Sequence, residues 1–342
     1  AYAPPSGYLA LCSQNLPDVA ITDGTENFNT VLWTGDNSVP RNITGVGFSP
    51  DWMWVKDRVA ANNHVLVDTV RGISNLLYSN ATVADITSAT QISAVGADGF
   101  TIGATTYMNE NGSSNAYVAW NWLAGTAFSN DASATSVGTI DSSGQVNATA
   151  GFSIVSYTGT GSAGTIAHGL NSAPEMLIVK NRDTARDWLV YHSAMGASYR
   201  IWLNYTLAQD SGTAATATWN GTAPTSTVFS VGTNIHSNES GDDFICYAFH
   251  SVEGYCKVGS FEGNNSSENF VYTGFRPSWL LLKNIDGSYN WMLVDSVREP
   301  FNDGAVNAFL RPNITYQEAT AGILDVVSNG FVLRDNSSDT NA

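Results

Sequence analysis

Short apolar runs alternate with polar stretches rich in Gly, Pro, Asn and Asp along the chain. No long window keeps an apolar stripe at i, i+3, i+4 and i+7 between capping residues, so helices are not expected. Trp52-Met53-Trp54-Val55-Lys56 is apolar or aromatic at nearly every position and is bounded by Pro50 and Asp57. That pattern predicts a strand covered on both faces, or one buried in a sandwich. A polar loop then leads to Val65-Leu66-Val67-Asp68, and the two segments read as a hairpin. Asp98-Gly99 is a turn dipeptide opening Phe100-Thr101-Ile102, and Tyr117–Trp122 is a further strand. The pattern predicts an all-β chain of antiparallel β-sandwich type, jelly-roll or lectin-like, with a barrel as the lesser alternative.

The same pattern recurs. Pro50 to Arg58, Pro174 to Arg182 and Pro277 to Ile285 are three copies of one segment, with Lys six positions after Pro in each. The chain has four lysines, and Lys56, Lys180 and Lys283 hold this position. The register continues downstream without gaps: Asp68, His192 and Asp295 fall twelve positions after the Lys, and Arg71, Met195 and Arg298 fifteen after it. Asp98-Gly99-Phe100 matches Asn329-Gly330-Phe331, and Tyr117–Trp122 matches Phe244–Phe249. The repeat implies three tandem β-sandwich domains, over 26–125, 150–252 and 253–342. The Ser-, Thr- and Ala-rich stretch 126–149 has the composition of a linker or surface strands. Counted from Phe331, the third counterpart of Tyr117–Trp122 falls beyond Ala342, so the last domain is expected to lack its final strand. Either the protein continues, or a neighbouring chain supplies the strand.

Composition narrows the partners. With 30 acidic and 14 basic residues the net charge is −16, which argues against nucleic acid as a ligand. No apolar run is long enough for a membrane-spanning helix, so no membrane insertion is expected. Cys12, Cys246 and Cys256 form no disulfide framework. Cys246, in an apolar run, reads as a buried thiol, with a Cys246–Cys256 bridge as the alternative.

There is no phosphate-binding glycine loop, no CxxC pair, no His pair at i, i+4 and no G-x-S-x-G signature. No catalytic, cofactor or metal residues are therefore assigned, and no enzyme is expected. Asp242, Asp243 and Glu299 are the mild exceptions, as acids unmatched between repeats. His192, which replaces Asp at its repeat position, reads as structural. The repeated lysine reads as a stem along aromatic surface whose ammonium meets carbonyls or a carboxylate such as Asp68 or Asp295, with ligand contact as the alternative. Asp68 with Arg71, and Asp295 with Arg298, are read as local ion pairs fixing a turn. Trp33, Tyr107, Trp202, Tyr205, Trp219 and Tyr289 are candidates for stacking on sugars. Sequons at Asn42, Asn80, Asn204, Asn220 and Asn313 reflect an Asn-, Ser- and Thr-rich composition.

Gly47 to Arg58, Val67 to Gly72, Asp98-Gly99-Phe100 and Tyr117 to Gly125 together resemble a repeated domain of marine bacteriophage tail-fibre-like or capsid-associated virion proteins. Pro4 to Pro17 is similar to the segment that closes a preceding SPRY-like, lectin-like domain in such proteins, which would make 1–25 a connector. The middle copy departs most, with Tyr191-His192 where the others have Val-Asp. The resemblance implies a virion surface location and a tail fibre or appendage for host attachment, with host glycan as the ligand. It also implies other virion proteins as partners and a homo-oligomer, a trimer by analogy with fibres. A capsid decoration or connector without ligand, and a surface-polysaccharide depolymerase, are the alternatives. The family's biochemical role is poorly defined, and no site residues carry over from it.

Overall fold

The computed structural model describes residues 19–103, 105, 108–110, 115–299, 302 and 307–341. The chain is all-β, with 39 % of residues in strands and 6 % in helices, and its antiparallel sheets are all open. The barrel alternative is thereby set aside.

The first repeat supplies β1 (Phe28–Thr34), β2 (Arg41–Thr44), β3 (Trp52–Asp57), β4 (Val65–Asp68), β5 (Asn75–Tyr78), β6 (Ile86–Thr87), β7 (Ile92–Gly96), β8 (Gly99–Ile102) and β9 (Ala116–Trp122). From 126 to 252 come β10 (Thr126–Asn130), β11 (Ser142–Asn147), β12 (Phe152–Thr158), β13 (Gly164–Ala167), β14 (Met176–Asn181), β15 (Leu189–His192), β16 (Tyr199–Trp202), β17 (Asp210–Ser211), β18 (Val228–Val231) and β19 (Asp243–Phe249). The third repeat holds β20 (Asn269–Tyr272), β21 (Trp279–Leu282), β22 (Met292–Asp295), β23 (Asn307–Phe309), β24 (Ala319–Ala321), β25 (Leu324–Val327) and β26 (Gly330–Leu333).

Sheet order follows the repeat. The first large sheet runs β1-β9-β3-β4-β5-β6, and the second contains β12-β19-β14-β15-β16-β17 in the same sequence of roles. The expected hairpins form: β3 with β4, β14 with β15 and β21 with β22 are antiparallel pairs in one common register. The stretch 126–149, expected as a linker or surface strands, is ordered sheet. There β10 and β11 extend the second sheet onto β12. Gly144 on β11 permits the contact, since a Cβ there would sit 1.8 Å from the Ile154 carbonyl oxygen.

Burial gives each repeat two apolar faces, as the continuous apolar runs imply. One face of β3 and β9 (Met53, Val55, Tyr117, Ala119) joins a cluster inside the first repeat. Parallel clusters sit inside the second and third repeats. The opposite face carries Trp52, Trp54, Trp120 and Trp122, and these merge with Phe152, Trp188, Tyr247, Phe249, Trp291, Leu293 and Leu310 into one shared core. Trp52 stacks on Tyr247 with ring centroids 4.2 Å apart, and Trp122 meets Trp279 edge-on at 5.4 Å. The repeats therefore share a common aromatic centre in addition to the cluster inside each.

Candidate functional site

The repeated polar residues converge on the seams between repeats. At the first seam Asp68 is fully buried and accepts from Arg71 Nε (2.6 Å) and from Tyr247 OH (2.7 Å) of the second repeat. Arg71 also reaches Asp85 (2.8 Å), which in turn accepts from Arg182 Nε (2.9 Å). The seam joining the third repeat to the first repeats this plan. Asp295 accepts from Arg298 Nε and, at 3.0 Å, from Trp120 Nε1 of the first repeat. Glu318 accepts from Arg298 (2.8 Å) and from both arms of Arg58 (2.9 and 2.7 Å). Burial opposes ionisation of Glu318, but the two guanidiniums overcome it and hold its carboxyl below the usual range.

Between the second and third repeats the same positions hold His192, Met195, Gln209 and Ile285, so this seam carries no counterpart of those ion pairs. Contacts to backbone carbonyls persist there. Gln209 N–H donates to the Ile285 carbonyl (2.9 Å), as Asp85 N–H does to Arg182 (2.8 Å) and Glu318 N–H to Arg58 (2.8 Å). Trp291 Nε1 donates to the Trp202 carbonyl (2.9 Å), as Trp188 Nε1 does to Tyr78 (2.9 Å). The contacts run first to second, second to third and third to first, closing a ring.

The three repeated lysines have one role. Each Nζ donates to the carbonyl of the next residue: Asp57 (2.6 Å), Asn181 (2.8 Å) and Asn284 (2.6 Å). Lys180 and Lys283 also reach back to the preceding repeat, at the carbonyls of Thr82 and Thr206 (both 3.1 Å). Carbonyls, not Asp68 or Asp295, are thus the partners. Burial pulls all three ammonium groups down to about 8.

The remaining candidates do not form a site. Asp242 accepts from Asn181, Asp243 from the Thr158 hydroxyl and Glu299 from the Ala308 amide. Trp33, Trp202 and Trp219 are buried, so they serve the cores. Tyr205 is exposed and Tyr289 half-buried, while Tyr107 lies outside the described residues. Phe270 and Tyr272, alternate residues on β20, are exposed at 48 % and 66 %, and nothing in the residue pattern singled them out. Cys246 and Cys256 are free thiols, so the bridge is excluded, and Cys12 lies outside the described residues. Burial raises the Cys246 thiol strongly and Cys256 to about 12, leaving both inert as nucleophiles at neutral pH.

Among the described residues no three His, Cys, Asp or Glu side chains are placed to hold a metal ion, and no helix is long and apolar enough to cross a membrane. A cavity of about 920 Å³ lies at the second-to-third seam against Trp122, His192 and Trp279. No curated protein and no solved structure matches the chain. The model of a domain of unknown function, DUF7483, matches residues 23–342, nearly the whole chain, and the protein belongs to that family.

Proposed function

We propose that this protein is a non-enzymatic structural component of a virion surface, a tail fibre or similar appendage, built from three antiparallel β-sandwich units. The observation that carries this reading is the fate of the repeated chemistry. Lys56, Lys180 and Lys283, with both Asp–Arg pairs, bond within the fold and present nothing to a substrate. Such a ring suits display: it holds surface loops rigidly while its interior is fixed by architecture. The motif likeness to virion fibre repeats supports that location. Attachment to host glycan falls to the exposed aromatics Tyr205, Phe270 and Tyr272.

Burial of Trp33, Trp202 and Trp219 favours a second reading, a connector or decoration protein without ligand. Glycan-array binding that Tyr205→Ala or Tyr272→Ala abolishes supports attachment. Tight binding to particles with no glycan signal supports the connector. Loss of polysaccharide viscosity on incubation with the protein sinks both in favour of a depolymerase.

A further inference from the structure

One short strand in each repeat lies at the edge of a small sheet: β2 pairs with β8, β13 with β18 and β20 with β26. The registers superpose, since Ile43↔Phe100, Ile166↔Phe229 and Val271↔Phe331 are the same pair in the three repeats. Asn42 and Thr44 in the first repeat, and Thr165 and Ala167 in the second, therefore hold the places of Phe270 and Tyr272 in the third. The fold is built twice with smaller residues at these places, so it does not require two exposed aromatic rings there.

The other two edges are guarded, each in its own way. In the second repeat the chain covers its own edge. The Thr165 carbonyl accepts the N–H groups of Thr139 (2.8 Å) and Ile140 (3.0 Å), and Thr165 N–H donates to the Thr139 hydroxyl (2.9 Å). The Ala167 carbonyl accepts from the Ser142 hydroxyl (2.9 Å). In the first repeat Pro40 and the charged Arg41, paired with Asp36, stand at the entry to β2. Proline and charge are common guards of an edge strand. β20 has neither kind of guard, and among the described residues β26 is its one strand partner. Thr165 and Ala167 turn backbone polar groups away from β18, so the alternation of an antiparallel ladder turns those of Phe270 and Tyr272 to the open edge.

We propose that this edge pairs with its own counterpart in a second copy of the chain, β20 against β20, antiparallel about a two-fold axis at Val271. Phe270-Val271-Tyr272 is self-complementary in that register. Phe270 opposes the partner's Tyr272, and Tyr272 opposes the partner's Phe270. The outward N–H and C=O groups of both residues then close a ladder, and two cross-strand aromatic pairs form beside it. Further out, Glu268 opposes the partner's Gly274, so no carboxylate faces another although each chain carries a net charge of −16. Pairing joins two three-stranded sheets into one continuous sheet. All four rings stay on its solvent face, so the exposed aromatic surface is doubled and not covered. The self-pairing does not rest on glycan binding, and a two-fold contact goes beyond the trimer implied by likeness to fibres.

Sedimentation of the chain up to about 1 mM, the local concentration that tethered neighbours reach, tests this and is expected to show a monomer–dimer equilibrium. Hydrogen–deuterium exchange at the amides of Phe270 and Tyr272 is expected to slow at least about tenfold between dilute and concentrated protein. Tyr272→Pro removes an edge N–H and leaves the ladder to β26 intact, so it is expected to keep the melting temperature and lose the dimer. Phe270→Asn with Tyr272→Thr, the residues that the first repeat carries, is expected to fold as before and to weaken the dimer about threefold or more. A monomer at every concentration overturns the proposal. A dimer with unchanged exchange along β20 overturns it too, because another surface then holds the two copies together.

Discussion

Asp68 shows how much one side chain holds together. Its carboxylate, fully buried, is engaged by Arg71 from its own turn and Tyr247 from the next repeat. Asp68→Ala strands the Arg71 guanidinium, whose charged state leans on Asp68, Tyr247 and Asp85 against the penalty of burial. Breaking such a buried pair is expected to cost about 3–5 kcal/mol in denaturant unfolding, with surface binding unchanged. The lysines give a pH-dependent counterpart. Their folded value of about 8 lies below the ordinary 10.5, so between those limits the unfolded chain binds more protons than the folded one. Burying the charged lysine therefore penalises the fold below pH 8, and the penalty is relieved as pH rises toward 10.5. Free thiols and buried tyrosines titrate in the opposite sense, so the clean readout is a difference. The stability of the wild type relative to Lys180→Met is expected to rise by about 1–3 kcal/mol between pH 8 and 10.5, measured by urea unfolding.

Among the elements, the turn that opens β8 and β26 carries a strict requirement. Gly99 has φ of 140°, and a Cβ there would lie 2.1 Å from the Ile43 carbonyl oxygen. Gly330 meets the Val271 carbonyl in the same way, at 2.1 Å. Gly99→Ala must push β2 and β8 apart or strain the backbone, and is expected to lower stability by about 2–4 kcal/mol in thermal unfolding. These turns were legible as Asp-Gly-Phe and Asn-Gly-Phe, as were the strands after each Pro, because continuous apolarity leaves only a doubly covered strand. The pair β10 and β11 was harder to read. Its residues are mostly Ser, Asn, Gly and Thr, and it is ordered by pairing on β12 more than by its own side chains. Sequence also left open which aromatics face solvent. Trp33 and Tyr272 both sit in alternating strands, and only the packing of Trp33 against Tyr117, with Nε1 bonded to the Met108 carbonyl, separates them.

At the scale of the molecule the repeat was visible in the sequence, but the ring was not. Lys, Asp and Arg recur at fixed spacings, yet nothing in the spacing tells that Tyr247 answers Asp68 or that Trp120 answers Asp295. Those pairings join residues more than 170 positions apart, and they arise because each repeat turns its second apolar face inward. A shared core predicts shared unfolding. The chain is expected to melt in one calorimetric transition, with van't Hoff and calorimetric enthalpies agreeing. Residues 26–125 produced alone are expected to expose Trp52, Trp54, Trp120 and Trp122 and to aggregate or bind hydrophobic dyes. Three separate transitions would show instead that each repeat stands on its own.

The Arg58–Glu318 contact spans 260 positions, and it has a consequence for biosynthesis. At about 5–20 residues per second, a ribosome needs roughly ten to fifty seconds to deliver Glu318 after Arg58. Until the second repeat emerges to supply Phe152 and Tyr247, the inward tryptophans of the nascent first repeat stand uncovered, and Trp120 gains its Asp295 partner only when the third repeat follows.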